Sequence, residues 1–130
     1  MAEIKTFFHN VPWEDGLGMS QGYSVDGRVH ISGQFAHDAK GELVGVGDFD
    51  AQFSQTAANL DVVLAGFGLG RDNIAEALIY MTHSVDDFEG LTRSWRAYVG
   101  DHRPAVTMIG VAGLAFPGQR LEIRVVAYAG

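Results

Sequence analysis

The chain has 130 residues, of which 47% are apolar and 19% are charged, and it contains no cysteine. This composition predicts one globular domain over residues 1–130 and excludes a disordered, fibrous or disulfide-rich protein. The net charge of −7 opposes binding to nucleic-acid phosphates. Because the start MAEIKTFFHN lacks signal-peptide features and no stretch reaches the ~18 apolar residues of a membrane span, we expect a cytoplasmic protein without a membrane partner.

The first half of the chain carries clear local signals. Asp26-Gly27 stands between two β-prone runs and predicts a hairpin joining strands near 20–25 and 28–33. Apolar residues then recur at helical spacing, which predicts a helix over 48–66 with Asp48 as N-cap and Gly66 or Gly68 near its end. Residues 74–82 are almost entirely apolar and predict a buried strand.

The second half predicts another helix and two more strands. Asp86, followed three residues later by Glu89, matches a capping box, and the apolar stripe of the helix consists of Phe88, Leu91, Trp95 and Tyr98. The last quarter predicts two apolar strands joined by a hairpin about residues 113–118. This order predicts an α+β fold with two helices on one face of a mixed sheet. Because residues 105–111 are uncharged on both strand faces, we expect the other face to meet a second subunit.

The residues around three possible motifs do not support a phosphate-binding loop, a metal site or a serine hydrolase. The glycine-rich run 66–70 closes a helix, whereas a phosphate-binding loop follows a strand and opens a helix. The five histidines have no paired ligand spacing, so we expect no metal site. The serines lack a GxSxG elbow, so a serine hydrolase is not supported.

Four short segments occur in an order that is typical of a known family: Gly18-Met19-Ser20-Gln21, Val29-His30-Ile31-Ser32-Gly33-Gln34, Arg103-Pro104-Ala105-Val106-Thr107 and Leu121-Glu122-Ile123. Together they resemble the YjgF/Rid family of reactive imine and enamine deaminases. The resemblance implies a chorismate-mutase-like fold and a homotrimer with active sites between subunits. It also implies a small-molecule ligand and no cofactor. The implied site positions are Met19, Ser32, Gly33, Thr92, Val106, Thr107, Met108 and Glu122.

The chain departs from the family pattern at several of these positions. Ser32, Gly33 and Glu122 match, but Val106 stands where the family's deaminases have an arginine that holds the substrate carboxylate. An isopropyl group cannot form the bidentate pair of a guanidinium. Met19 replaces a tyrosine, Met108 replaces a cysteine or small residue, and Thr92 replaces an asparagine. The candidate substitutes for the lost cation are Arg124, Arg103 and Arg96, and Arg124 is favoured because it shares a strand face with Glu122.

Glu122 is the candidate catalytic residue. A carboxylate between Leu121 and Ile123 is either solvated, with Arg124 as a weak ion-pair partner, or retained for function. Val106 and Met108 share a strand face, and the predicted hairpin would bring Val106 opposite Glu122. Apolar walls without a guanidinium predict a raised pKa for Glu122, which suits general acid/base catalysis. In the alternative reading, Met19 and Met108 merely fill gaps at a subunit interface.

Three functions follow as hypotheses. The first is a cofactor-free deaminase or hydrolase acting on a small imine, enamine or related unsaturated metabolite. The second is a non-catalytic binding or regulatory trimer, which the loss of the arginine favours. The third is an endoribonuclease or translation inhibitor, which the acidic charge disfavours.

Overall fold

A six-stranded mixed sheet forms the centre of the computed structural model, which describes residues 2–130. The strands are β1 Ile4–Phe7, β2 Gly22–Val25, β3 Arg28–Gln34, β4 Ile74–Met81, β5 Ala105–Gly110 and β6 Leu121–Tyr128. Their spatial order is β1-β2-β3-β6-β4-β5, and only the β4–β5 pair is parallel among these residues. The α-helices of the described chain are α1 Trp13–Leu17, α2 Phe49–Gly66 and α3 Phe88–Val99.

The predicted first hairpin is confirmed. Strands β2 and β3 pair directly, and Asp26 and Gly27 have φ angles of 48° and 86°. Both lie in the left-handed region that a type I′ turn requires. The preceding strand β1, which pairs with β2, was not predicted, because its four residues are mostly exposed and carry no apolar alternation.

The predicted long helix is also confirmed. The Asp48 side chain accepts a hydrogen bond from the Ala51 N–H at 3.0 Å, and this contact caps the first turn of α2. Gly68, with a φ of 72°, lies just beyond the helix end. Helices α2 and α3 pack on one face of the sheet, where the core includes Ile31, Leu60, Leu64, Ile79, Leu91, Trp95 and Ile123.

The start of α3 differs from the prediction. The helix begins at Phe88 with Asp87, not Asp86, at the N-cap, and neither a cap hydrogen bond nor a capping box is formed there. The Asp87 carboxylate instead accepts two hydrogen bonds from Arg120 at 2.8 and 3.0 Å, since a guanidinium offers a stronger bidentate partner. Phe88 is 52% exposed and lies outside the buried stripe.

The predicted closing hairpin is wrong. Strand β6 lies between β3 and β4, and β5 pairs with β4 instead of β6. Residues 111–120 pass around the end of β4, where Val111 N–H donates to Met81 O at 2.9 Å and Thr82 N–H donates to Arg120 O at 3.2 Å. The physical reason is that the connection 111–120 bonds to the end of β4 and carries the chain past it, so β4 pairs along both edges and lies between two strands that are consecutive in sequence.

The strand register assigns each side chain to a face of the sheet. Val106 is opposite Ala77 and Met108 is opposite Ile79, and both partners are buried against the helices. Glu122 is opposite Tyr80, one residue out of phase with Ile79, and therefore points to the other side. We call the sheet side away from α2 and α3 the open face. Within residues 2–130, no helix is long and apolar enough to cross a membrane.

Candidate functional site

Glu122 and Gly33 are in direct contact. A Cβ atom added to Gly33 would lie 2.3 Å from Oε2 of Glu122. Gly33 lies in an irregularity of the β3–β6 pairing between Ile31 and Gln34, where the ladder is interrupted. The missing side chain of Gly33 therefore provides the space that the Glu122 carboxylate occupies.

The environment of Glu122 is half-buried and contains one identified donor. Burial raises the pKa of the Glu122 carboxyl, and a hydrogen bond from Gln119 Nε2 to Oε1 at 3.2 Å opposes that rise. The ion pairs found within residues 2–130 involve Asp50, Asp61 and Asp87, and none includes Glu122. The direction of the pKa shift agrees with the sequence-based prediction, although its cause is burial beside Gly33 and not a wall formed by Val106.

Ser32 connects this contact to the segment that contains Met19. Ser32 Oγ donates to Ser20 O at 2.8 Å, and Ser32 N–H donates to Gln21 O at 2.8 Å. Met19 is half-buried and, with Ser20, lines a cavity of about 760 Å³. Two hydrogen bonds thus join Ser32, the neighbour of Gly33, to the two residues that follow Met19.

Other predicted site residues lie on the opposite side of the sheet within one chain. The prediction that Val106 stands opposite Glu122 is wrong, because β4 separates β5 from β6 and Val106 packs towards the helix-side core. Met108 is 37% exposed and lines a separate apolar cavity with Phe88. Thr92 lies on α3, where its Oγ1 donates to Glu89 O at 2.9 Å.

The three candidate arginines occupy different places. Arg124 is half-buried and opposite Leu78, so it lies on the open face with Glu122. Thr107 is opposite the same Leu78 from β5 and shares that face. Arg103 donates to Gly100 O and to His102 O at the end of α3, and Arg96 is exposed on that helix. Arg124 is therefore the candidate that the fold places on the same face as Glu122.

Sequence reasoning missed a buried polar network behind Ser32. Gln34 Nε2 donates to Ser32 O and to Gln21 Oε1, both at 2.9 Å, and His9 Nε2 donates to Gln34 Oε1 at 2.8 Å. Gln21 in turn donates to the buried Glu14 at 2.9 Å. Gln21 immediately precedes β2 and Gln34 ends β3, and both are buried, so each amide requires partners. Within the described chain, no group of three or more His, Asp or Glu side chains could hold a metal ion.

Comparison with known proteins decides the family. The family model described as endoribonuclease L-PSP matches residues 17–129. A RutC family protein from Aquifex aeolicus is 35% identical over 131 residues, which cover 98% of each chain. The chain belongs to the YjgF/Rid family. Another relative, the human 2-iminobutanoate/2-iminopropanoate deaminase, is 30% identical over 112 residues, covering 85% of this chain and 80% of the human protein.

Solved structures agree with the YjgF/Rid assignment. A YjgF/YER057c/UK114 family protein from Mycobacterium tuberculosis shares the fold with a TM-score of 0.87 at 20% identity, covering 98% of this chain and 100% of that one. A Rid family protein from Yersinia pestis has a TM-score of 0.87 at 26% identity, with the same coverage. The predicted family and the predicted mixed sheet with two main helices are thereby confirmed.

Proposed function

We propose that this protein is a cofactor-free enzyme that hydrolyses a small imine, enamine or related unsaturated metabolite. The observation that carries the proposal is the Glu122 carboxylate, which is half-buried, held through one oxygen by Gln119 and packed through the other against Gly33. A carboxyl group with a raised pKa is a stronger proton acceptor when it is ionised, which suits a general base. The relationship to a protein named as a 2-iminobutanoate/2-iminopropanoate deaminase supports the same chemistry.

The proposed reaction needs one general base and water. Ionised Glu122 takes a proton from water while the water oxygen bonds to the imine carbon. The C=N π electrons become a lone pair on nitrogen, and Glu122 passes its proton to that lone pair, which gives a neutral carbinolamine. The regenerated Glu122 carboxylate then takes the carbinolamine O–H proton and delivers it to nitrogen as the C=O bond forms and the C–N bond breaks. Imine and water thus become a carbonyl compound and ammonia, and the carboxylate is regenerated. Backbone groups near Gly33 orient the polar end of the substrate.

A homotrimer is part of this proposal. Val106, Met108 and Thr92 lie across the sheet from Glu122 in one chain, so these positions reach a Glu122 site only from a second subunit. The open face also carries the half-buried apolar residues Leu78, Tyr80 and Ile109. Such a surface favours contact with another copy of the chain. Substrate preference is then set by Val106 in place of arginine, with Arg124 as the substitute cation.

Catalysis is tested by following substrate decay directly. We would generate 2-aminoacrylate and several uncharged imines in situ and compare the wild type with Glu122→Gln. The proposal predicts accelerated hydrolysis that this substitution abolishes. Glu42→Gln is the matched control, because Glu42 is exposed in a loop and its side chain forms no hydrogen bond or ion pair within the described residues. Equal rates for wild type, Glu122→Gln and buffer would reject the enzyme.

A binding or regulatory trimer is the second candidate. The observation that favours it is Val106, which stands where the family's deaminases have the arginine that holds the substrate carboxylate. This function predicts saturable binding of a small ligand by calorimetry with no acceleration of imine decay. Ligand binding that accompanies turnover would instead identify the ligand as a substrate or inhibitor.

A further inference from the structure

A buried glutamine of α2 holds the backbone next to the candidate site. Gln52 is fully buried, with 0% of its surface exposed. Its Nε2 donates to Gly45 O at 3.1 Å and to Gly118 O at 2.9 Å, and its Oε1 accepts from Arg120 N–H at 2.9 Å. Gln52 therefore fixes the main chain on both sides of Gln119.

The side-chain amide of Gln119 has one possible orientation. Its Oε1 accepts from Phe116 N–H at 3.3 Å, while its Nε2 donates to Leu121 O at 3.1 Å and to Glu122 Oε1 at 3.2 Å. A flipped amide would place its NH₂ against a main-chain N–H and its oxygen against a main-chain carbonyl and a carboxylate. The amide nitrogen is therefore held towards Glu122.

We propose that Gln119 is a positioning residue for the Glu122 carboxylate and that Gln52 holds Gln119 in place. Oε1 of Glu122 is engaged by the amide, which leaves Oε2, beside Gly33, as the oxygen that faces water or substrate. Donation by an N–H also favours the ionised carboxylate and opposes the effect of burial on the pKa of Glu122. The consequence for turnover rests on the proposed function, whereas the consequence for the ionisation of Glu122 does not.

The test is a pH titration by NMR of protein labelled with ¹³C in the glutamate carboxyl groups. The Glu122 signal is the one that is missing from Glu122→Gln. We expect Gln119→Leu to raise its titration midpoint, because a donor to the charged form is lost. We expect Gln119→Glu to raise it as well, because two neighbouring carboxyl groups disfavour double ionisation.

Gln52 is tested in the same titration. Gln52→Leu should shift the Glu122 midpoint in the same direction as Gln119→Leu and by less. Gln52→Glu keeps the size and the acceptor for Arg120 N–H but loses both donors, so it provides the measurement if the leucine variant does not fold. Gln55→Leu is the matched control on the same helix, because the Gln55 amide donates to Asn59 Oδ1, away from residues 118–120.

The titration and hydrolysis results together distinguish the positioning role of Gln119 from the proposed enzyme activity. Unshifted Glu122 midpoints in Gln119→Leu and Gln119→Glu would overturn the positioning role, even if the wild type hydrolyses imines. Shifted midpoints in a protein that hydrolyses none of the imines would support the positioning role and reject the enzyme. If the enzyme is active, Gln119→Leu should lower kcat by about 10- to 100-fold with little change in KM.

Discussion

Gly33 and Glu122 compete for the same space, since a Cβ on residue 33 would lie 2.3 Å from Oε2 of Glu122. We therefore predict that Gly33→Ala displaces the carboxylate and lowers imine hydrolysis by at least about tenfold, while costing about 1–3 kcal/mol of unfolding free energy. Steady-state rates and urea unfolding measure the two effects. Gly16→Ala is the control, because a Cβ there meets nothing within 4 Å. Full activity in Gly33→Ala would show that the position of the carboxylate is unimportant.

The ionisation of Glu122 should make the protein's stability depend on pH. Burial raises its folded-state pKa above the ordinary value of 4.5, so the folded state binds more protons between the two pKa values. The contribution of Glu122 to stability therefore falls as pH rises through that window and is constant above the folded pKa. Glu122→Gln should become more stable relative to the wild type across the same window. Unfolding midpoints in urea from pH 4 to 8 would measure this, and a constant difference between the two proteins would contradict it.

Catalytic activity should also depend on the ionisation of Glu122, but it should rise with pH where the stability contribution falls. If ionised Glu122 is the base, the rate rises with pH and reaches half its plateau above the ordinary glutamate pKa of 4.5. The measurement is kcat for an imine that does not itself titrate in the range studied. A profile that is flat from pH 5 to 8 would count against Glu122 as the general base.

Arg124 should distinguish charged from uncharged substrates. If it supplies the cation that Val106 lacks, Arg124→Met should raise KM for 2-aminoacrylate by about 10- to 100-fold, the scale of one charged hydrogen bond, with little effect on an uncharged imine. Arg93→Met is the control, since Arg93 is exposed on α3 and pairs with Asp50. An equal loss for both substrates would assign Arg124 a structural role.

The open face should form the contact between the subunits of a trimer. Sedimentation at micromolar concentration should give a mass of roughly three times the 14.0 kDa of one chain. Ile109→Asp places a charge on that face and should shift the mass towards one chain. Val62→Asp is the control, because Val62 is 50% exposed on α2. A wild-type protein that sediments as a single chain would reject the trimer and the intersubunit site together.

The features that could be predicted from sequence depend on neighbouring residues. The Asp26-Gly27 turn needs only its own backbone angles, and the Asp48 cap needs a donor three residues later. The β5–β6 pairing failed because it depends on where β4 inserts, which no local pattern records. The N-cap of α3 is Asp87 and not the predicted Asp86, and this difference likewise depends on a distant partner of Asp87, Arg120.

In the candidate site too, some residues could be predicted from a sequence pattern, whereas others depend on the tertiary fold. Glu122, Ser32 and Gly33 could be named as candidates from the sequence because their residue types match a family pattern. Gln119 was missed because its role arises from a turn that directs its amide back towards the strand that follows it. The relation between Val106 and Glu122 was wrong because it assumed the closing hairpin.

Strand β6 is the last element of the chain and yet occupies an interior position in the sheet. During synthesis, β1–β3 and β4–β5 can each pair before β6 emerges, but the facing edges of β3 and β4 stay uncovered until it arrives. Exposed strand edges recruit other chains, and such long-range pairing is slow. A chain in which β6 has not yet formed therefore holds two half-sheets open to aggregation, and the fold is complete only when β6 pairs with both β3 and β4.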